Sequence, residues 1–298
     1  MRLATLRLNG ATRAAILGSS SARLLSESSV DQVLLREGWR ERLIRKSDFS
    51  DVSPTDLVPE SAWVFAPVIP RPGKIICVGL NFAAHIEEMG HDQPDVPTLF
   101  AKFPDALAGA RDDILVPQAE ASALDYEGEL AVVIGKTSLH VTEEQARDAI
   151  AGYAIMNDFT QRDRQYATGQ WLQGKSLQRA SGFGPWLEVA DDDSVFDLDT
   201  ARVRTWVGNQ LRQDAPLNDL VFPPAALVSY LSQFVQLNPG DVISTGTPAG
   251  VGHGMKPPSY LVDGDVVTIS IEGLGRLRNT VRVRKTARND LYGNRRSN

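Results

Sequence analysis

Glu127 and Glu129 are separated by a single glycine and lead directly into the apolar run Leu130-Ala131-Val132-Val133-Ile134. In a β-strand, residues two apart project from the same face. This spacing therefore sets two carboxylates side by side at the mouth of a buried strand. Adjacent anions near an interior repel each other and are costly to desolvate unless a cation holds them. A hard divalent metal is the simplest such cation. Asp158, which follows the apolar run Tyr153-Ala154-Ile155-Met156-Asn157, could supply a third oxygen ligand. The spacing alone leaves open a plainer reading, an exposed strand edge whose glutamates face water.

Other residues could act beside such a centre. His85 and Glu88 lie three apart in Asn81-Phe82-Ala83-Ala84-His85-Ile86-Glu87-Glu88-Met89, and on a helical turn they share one side. A carboxylate next to an imidazole makes it a stronger base near neutral pH, although an idle surface pair has the same pattern. Gly79 and Gly90 flank the segment and would let it hinge. Arg162 and Gln165 follow Asp158, and Arg162 could hold a substrate carboxylate through its two-pronged guanidinium. Asp158 could equally be the N-cap of that segment. Lys175, in Gly174-Lys175-Ser176, carries no signal by itself. Thr245-Gly246-Thr247-Pro248 ends an apolar strand in a turn that offers N–H groups and hydroxyls to an anion. Gly169 to Ser176 formally matches the phosphate loop G-x-x-x-x-G-K-[ST]. Its surroundings argue against that function: Arg164 to Thr168 is polar where a strand is needed, and Ser181-Gly182-Phe183-Gly184-Pro185 breaks any following helix.

The elements that must position these residues are mostly strands. Residues 1–70 read as a small N-terminal α+β unit. It has strands at Arg2 to Leu8 and Arg13 to Leu17, an Asn9-Gly10 turn, and one helix capped by Ser29 and running through Gln32, Leu35 and Trp39. Prolines at 54, 59, 67, 70 and 72 mark the linker. From residue 71 to 285, strands are expected at Ile75 to Val78, Leu130 to Ile134, Arg202 to Val207 and Asp241 to Thr245. Val267, Ile269 and Ile271 share a face, as do Leu277, Val281 and Val283 after the turn at Glu272 to Gly275. Arg276, Arg278, Arg282 and Arg284 fall on the opposite face, so one face of this sheet is wet. Gly208-Asn209 is a second hairpin turn. Helices are expected from Thr142 to Ala151, opened by a capping box, and from Pro223 to Phe234. Residues 286–298 form a polar tail.

Bulk properties narrow the function. The 298 residues carry a net charge of −6, which disfavours nucleic acid and anionic membrane as partners. The single cysteine, Cys77, cannot form an internal disulfide and fits a reducing cytoplasm. No stretch approaches the length of a membrane span. Four histidines are too few for a histidine-rich metal site.

Taken in order, these segments resemble the fumarylacetoacetate hydrolase family. The resemblance rests on Ile75 to Asn81 leading to His85 and Glu88, then Asp125-Tyr126-Glu127-Gly128-Glu129-Leu130. Asn157-Asp158 with Arg162-Asp163, Gln170-Trp171, Gly174-Lys175-Ser176 and Gly240 to Pro248 continue it, over roughly residues 70 to 285. The resemblance implies a mixed α/β, mainly β fold, with a roll or barrel-like catalytic domain, and a homodimer. It implies Glu127, Glu129 and Asp158 as ligands of Mg²⁺, with Mn²⁺ or Ca²⁺ as alternatives. His85 and Glu88 become the dyad that activates water, Lys175 the group that stabilises the reacting oxygen, and Arg162, Gln165 and Thr247 the substrate contacts. The implied reaction is carbon–carbon hydrolysis of an acylpyruvate or β-diketo acid. Decarboxylation of oxaloacetate, or isomerisation or hydration of an unsaturated 2-oxo acid, would use the same chemistry. Phe82 departs from the family pattern, where tyrosine is common, and Leu177-Gln178-Arg179 departs from a Phe-Asp-x pattern.

Overall fold

The computed structural model describes residues 1–47, 52–90, 92–191 and 194–284. The expected tail 286–298 lies outside them. At the N-terminus, Asn9 and Gly10 take positive φ values of 50° and 81° and join strands Arg2–Leu8 and Ala11–Leu17 in continuous register. Such a two-residue turn matches the twist of the strands it connects, and asparagine and glycine tolerate the left-handed region. The single helix expected after Ser29 is instead two, Val30–Leu34 and Trp39–Ile44. Gly38 between them adopts φ 61°, which turns the chain out of the helix, and the Ser29 side chain makes no capping bond.

These first strands are hydrogen-bonded to the rest of the molecule. Arg2 and Leu3 pair with Glu188 and Leu187 of strand Ser181–Val189. One 11-stranded sheet thus runs from Leu57–Pro59 through Ser21–Leu24 and the two N-terminal strands, Ser181–Val189, Ile150–Asn157, Gly128–Ile134, Val242–Ser244 and Ile75–Gly79 to Thr98–Lys102, with Leu107–Ala108 pairing on Ser181–Val189 off this path. Gly128–Ile134 lies in its middle and is buried at every position. Its Ala131 and Val133 enter one core with Phe183 and Leu187, while Val132 and Ile134 enter another with Leu227 and Leu231. A strand covered on both faces reads as a continuous apolar run, which explains its sequence.

The second sheet has five strands, ordered Gln210–Pro216, Arg202–Val207, Val266–Ile271, Gly275–Arg284 and Asp113–Pro117. Leu277 and Val281 turn inward, and Arg276, Arg278, Arg282 and Arg284 are exposed, as the alternation requires. The mixed α/β, mainly β fold is as expected, and the barrel-like part of it is not a closed barrel. Each sheet ends in two different edge strands rather than pairing back on itself, and closure needs that last pairing. Helices Glu143–Ala149 and Pro224–Ser232 cover the outer face. The first opens with the expected capping box, in which Thr142 and Gln145 bond reciprocally. Among the described residues, no helix is long and apolar enough to cross a membrane.

Candidate active site

Strand register assembles the acidic centre. Gly128 pairs with Asn157, so the chain leaves its neighbouring strand at Asp158 beside Glu127, and the Asp158 N–H donates to the Glu127 carbonyl at 2.9 Å. Gly128 is required there, because a Cβ would lie 2.2 Å from Thr205 Oγ1 in the second sheet. Glu127, Glu129 and Asp158 are 5%, 1% and 0% exposed, which rules out the solvated-edge reading. Each offers an oxygen within 4.8 Å of the others. Asp158 is not the N-cap of the helix Arg162–Gln165; Gln161 holds that position.

Positive charge has been gathered on these oxygens. Lys175 Nζ bridges Glu127 Oε2 at 2.6 Å and Asp158 Oδ2 at 2.8 Å. Lys102, wholly buried, donates to Asp158 Oδ1 at 2.5 Å and to the Phe159 carbonyl at 3.3 Å. Arg162 reaches Glu127 Oε1 at 2.8 Å and Asp125 Oδ2 at 2.7 Å, and donates to Gln165 Oε1 at 2.9 Å. Burial alone would push the Glu127 carboxyl up, but Lys175 and Arg162 outweigh it and hold it below the usual range. Glu129 is the reverse case. Burial, then the charges of Asp158 and Glu127, push its carboxyl well above the usual range despite hydrogen bonds from Ser244 Oγ and the Gly246 N–H. Burial would strip the Lys175 ammonium, yet Asp158 and Glu127 keep its pKa above the ordinary lysine value. Glu129 thus has no ion pair among the described residues and keeps its proton, while it converges with the oxygens of Glu127 and Asp158. Such a set suits a hard divalent cation.

The dyad sits on the rim. Helix Ala83–Glu88 places His85 Nδ1 3.0 Å from Glu88 Oε2. Glu88 also accepts from the Gly250 N–H at 3.0 Å. Burial raises its carboxyl, but the bonds from His85 and Gly250 more than offset this and leave it low. His85, Glu127, Glu129, Arg162, Gln165, Lys175 and Thr247 all line one cleft of about 160 Å³. All the residues expected at the site are therefore together, Asp158 through its contacts with Lys175 and Glu88 through His85. Arg162, however, spends its guanidinium on Asp125, Glu127 and Gln165, and Thr247 Oγ1 on the Gly128 carbonyl and Gln213.

Lys102 escaped the sequence reading, and Asp125 and Ser244 entered it only inside motifs, with no role of their own. Lys102 ends the strand Thr98–Lys102 after Leu99-Phe100-Ala101, and a lysine closing an apolar strand was the available signal. Asp125 accepts from Arg162 and from the N–H groups of Gly252 at 2.8 Å and His253 at 2.9 Å, tying a distant loop to the site. The phosphate-loop match is structurally void. Its lysine is bound to carboxylates, its helix is only Leu172–Lys175, and Gly174 is pressed against the Gln165 backbone.

Residues 74–282 match the family model described as fumarylacetoacetate (FAA) hydrolase C-terminal. The chain belongs to the fumarylacetoacetate hydrolase family. Its relatives include "Oxaloacetate tautomerase YisK" of Bacillus subtilis, 41% identical over 216 residues, covering 72% of this chain and 71% of the relative. A Dictyostelium discoideum "Fumarylacetoacetate hydrolase domain-containing protein 2 homolog" is 41% identical over 232 residues, 75% of each chain. Among solved structures, a fumarylacetoacetate hydrolase from Exiguobacterium antarcticum superimposes with a TM-score of 0.81 at 34% identity, covering 95% of this chain and all of that one. A 5-carboxymethyl-2-hydroxymuconate delta-isomerase from Mycobacterium smegmatis gives 0.75 at 31% identity, covering 96% of this chain and 100% of that one. This family enzyme therefore stands among tautomerases, isomerases and hydrolases.

Proposed function

We propose that this enzyme forms and redirects the enolate of a small 2-oxo acid, with keto–enol interconversion as its principal reaction. The observation that carries the reading is that a histidine–carboxylate dyad and a buried carboxylate triad open onto one small cleft. The tautomerase name of the Bacillus relative supports the reaction type. Glu88, held ionised, accepts the proton on His85 Nδ1 and leaves Nε2 with a free lone pair. That nitrogen takes a proton from the carbon beside the 2-oxo group, and the electron pair passes to the 2-oxo oxygen. Proton delivery to that oxygen gives the enol, and the reverse sequence gives the ketone. Lys175 places an ammonium at the same end of the cleft, where negative charge develops. Glu127, Glu129 and Asp158 would hold a divalent cation, Mg²⁺ first with Mn²⁺ or Ca²⁺ as alternatives, which would act as a Lewis acid toward the 2-oxo oxygen. The working unit is taken to be a homodimer.

Carbon–carbon hydrolysis of an acylpyruvate is the second reading, favoured by the likeness to the solved fumarylacetoacetate hydrolase of Exiguobacterium antarcticum. The same His85 nitrogen would then take a proton from water, whose oxygen attacks the distal carbonyl. Breaking the carbon–carbon bond leaves the electron pair on the pyruvate fragment, which takes up a proton, and a carboxylic acid departs.

The test supplies oxaloacetate and a panel of acylpyruvates to metal-stripped protein, with and without Mg²⁺ or Mn²⁺, and follows each by NMR. Metal-dependent enol–keto conversion with accelerated deuterium exchange at the carbon beside the 2-oxo group supports tautomerisation. Pyruvate plus an acid establishes hydrolysis, and carbon dioxide plus pyruvate from oxaloacetate establishes decarboxylation. If neither exchange nor cleavage is accelerated, the enolate reading fails.

A further inference from the structure

The carboxylate of the dyad is held by a loop that comes from elsewhere in the chain. Gly250, beyond strand Val242–Ser244, donates its N–H to both oxygens of Glu88, at 3.0 and 3.2 Å. The loop passes close to this carboxylate, since a Cβ on Gly254 would lie 2.7 Å from Glu88 Cδ. Gly250 has φ 102°, and a Cβ there would lie 1.9 Å from the Arg212 carbonyl, so the position demands glycine. Glycine also has the widest backbone freedom, and its N–H stays aimed only if other groups hold the peptides on either side. The two residues just before Glu127 supply that hold. Tyr126, buried, donates its hydroxyl to the Gly250 carbonyl at 2.8 Å. Asp125 accepts from the next two N–H groups, those of Gly252 and His253.

From this relay we infer that Tyr126 is a positioning residue for the base: its hydroxyl fixes Gly250, Gly250 fixes Glu88, and Glu88 fixes the His85 imidazole. The role rests on the assignment of His85 as base in the enolate reading. Glu88 closes a helix of six residues and its side chain is 21% exposed, so packing alone does not set its rotamer. The Gly250 N–H gives the carboxylate a second fixed point, and a carboxylate held at two points keeps its hydrogen bond to the histidine in line. The Tyr126 ring packs into the main core, a structural role that phenylalanine would keep. The hydroxyl is the part that serves the dyad.

The experiment makes Tyr126→Phe, Glu88→Ala, the double variant and His85→Ala, with Tyr126→Met as a second variant that lacks the hydroxyl. Turnover is measured on the metal-loaded enzyme with the 2-oxo acid that the wild type converts fastest, and Mn²⁺ affinity by calorimetry. In Tyr126→Phe, kcat should fall by about tenfold, the lower end of the loss when an outer hydrogen-bond partner is removed, with KM and Mn²⁺ affinity as in the wild type. In the Glu88→Ala background the same change should cost nothing further, because both act through one carboxylate. Exchange of the Gly250 amide in the Mg²⁺-loaded protein, followed by NMR, should speed up by about tenfold or more in Tyr126→Phe. Circular dichroism establishes that each variant is folded. An unchanged kcat in Tyr126→Phe beside an inactive His85→Ala would overturn the role of Tyr126 and leave the enolate reading standing. An equal loss in both backgrounds would also overturn it, and a matching loss of Mn²⁺ affinity would place the effect at Glu127 instead. Unchanged Gly250 exchange would overturn it whatever the turnover. Full turnover in His85→Ala would defeat the reading and the role of Tyr126 together.

Discussion

Gly128→Ala tests whether the distance between the two sheets sets the acidic centre. A Cβ on residue 128 would lie 2.2 Å from Thr205 Oγ1, 3.2 Å from Gln213 Oε1 and 3.3 Å from Ile269 Cγ2, where ordinary contact begins at 3.4 Å. The Thr205 contact is thus short by about 1.2 Å, the difference between 3.4 and 2.2 Å. Thr205 is fully buried on an interior strand of the second sheet and β-branched, so its χ1 is restricted in a packed site. Relief requires either a disfavoured Thr205 rotamer, which breaks the packing around it, or a shift of its strand. Overpacking of this kind costs about 1–3 kcal/mol, and at about 2–4 °C per kcal/mol for a protein of this size range the melting temperature should fall by roughly 2–12 °C. Because Glu127 and Glu129 flank the shifted residue, Mn²⁺ affinity should fall as well, by about tenfold for each 1.4 kcal/mol of lost binding. Differential scanning fluorimetry and calorimetric Mn²⁺ titration give the two numbers. Thr205→Ala in the Gly128→Ala background should restore part of both, since the pair is in contact and its effects should not add. An unchanged melting temperature and Mn²⁺ affinity in Gly128→Ala would refute the reasoning, as would a double variant no better than the single.

Further outcomes follow from the site. Glu127→Gln removes the charge that pairs with Lys175 and Arg162, so it should weaken Mn²⁺ binding at least tenfold and lower turnover with it, both measurable on one preparation. His85→Ala should retain wild-type Mn²⁺ affinity while turnover falls by about 10² or more, the range for loss of a general base; near-full turnover would remove His85 from that role. Glu129 has its folded pKa raised well above 4.5, so the metal-free fold holds a proton there that the unfolded chain has released. Its contribution to metal-free stability is fully present below pH 4.5 and is lost as pH rises through the raised value. Mn²⁺ affinity should accordingly increase with pH across that window with proton uptake by buffer on binding, and an affinity independent of pH would count against it. Residues 71–285 expressed alone should be insoluble, because removing residues 1–70 bares the edge of Ser181–Val189 and the Leu187 and Phe183 side of the core; a soluble, cooperatively melting fragment would show the N-terminal unit to be dispensable.

Local chemistry by itself determines much of this protein. The Asn9-Gly10 turn, the Thr142–Gln145 capping box and the hydrophobic alternation through Val267 to Val283 each follow from interactions among residues close in sequence. The family motifs similarly mark His85, Glu88, Glu127, Glu129, Asp158 and Lys175, and the structure places them at one centre. Gly38 is local too, but one glycine within an otherwise helical pattern does not announce a left-handed turn, so the sequence does not betray the split helix. What sequence could not decide was long-range. That Arg2–Leu8 docks on Ser181–Val189, that the sheets stay open, and that Thr205 stands over Gly128 all depend on pairing between segments far apart in the chain. The roles of charges were hidden for the same reason. A lysine's sequence neighbours do not reveal its ion partners, so the burial of Lys102 on Asp158 and the commitment of Arg162 to Asp125 and Glu127 emerge only once distant strands bring those groups within a hydrogen bond of each other.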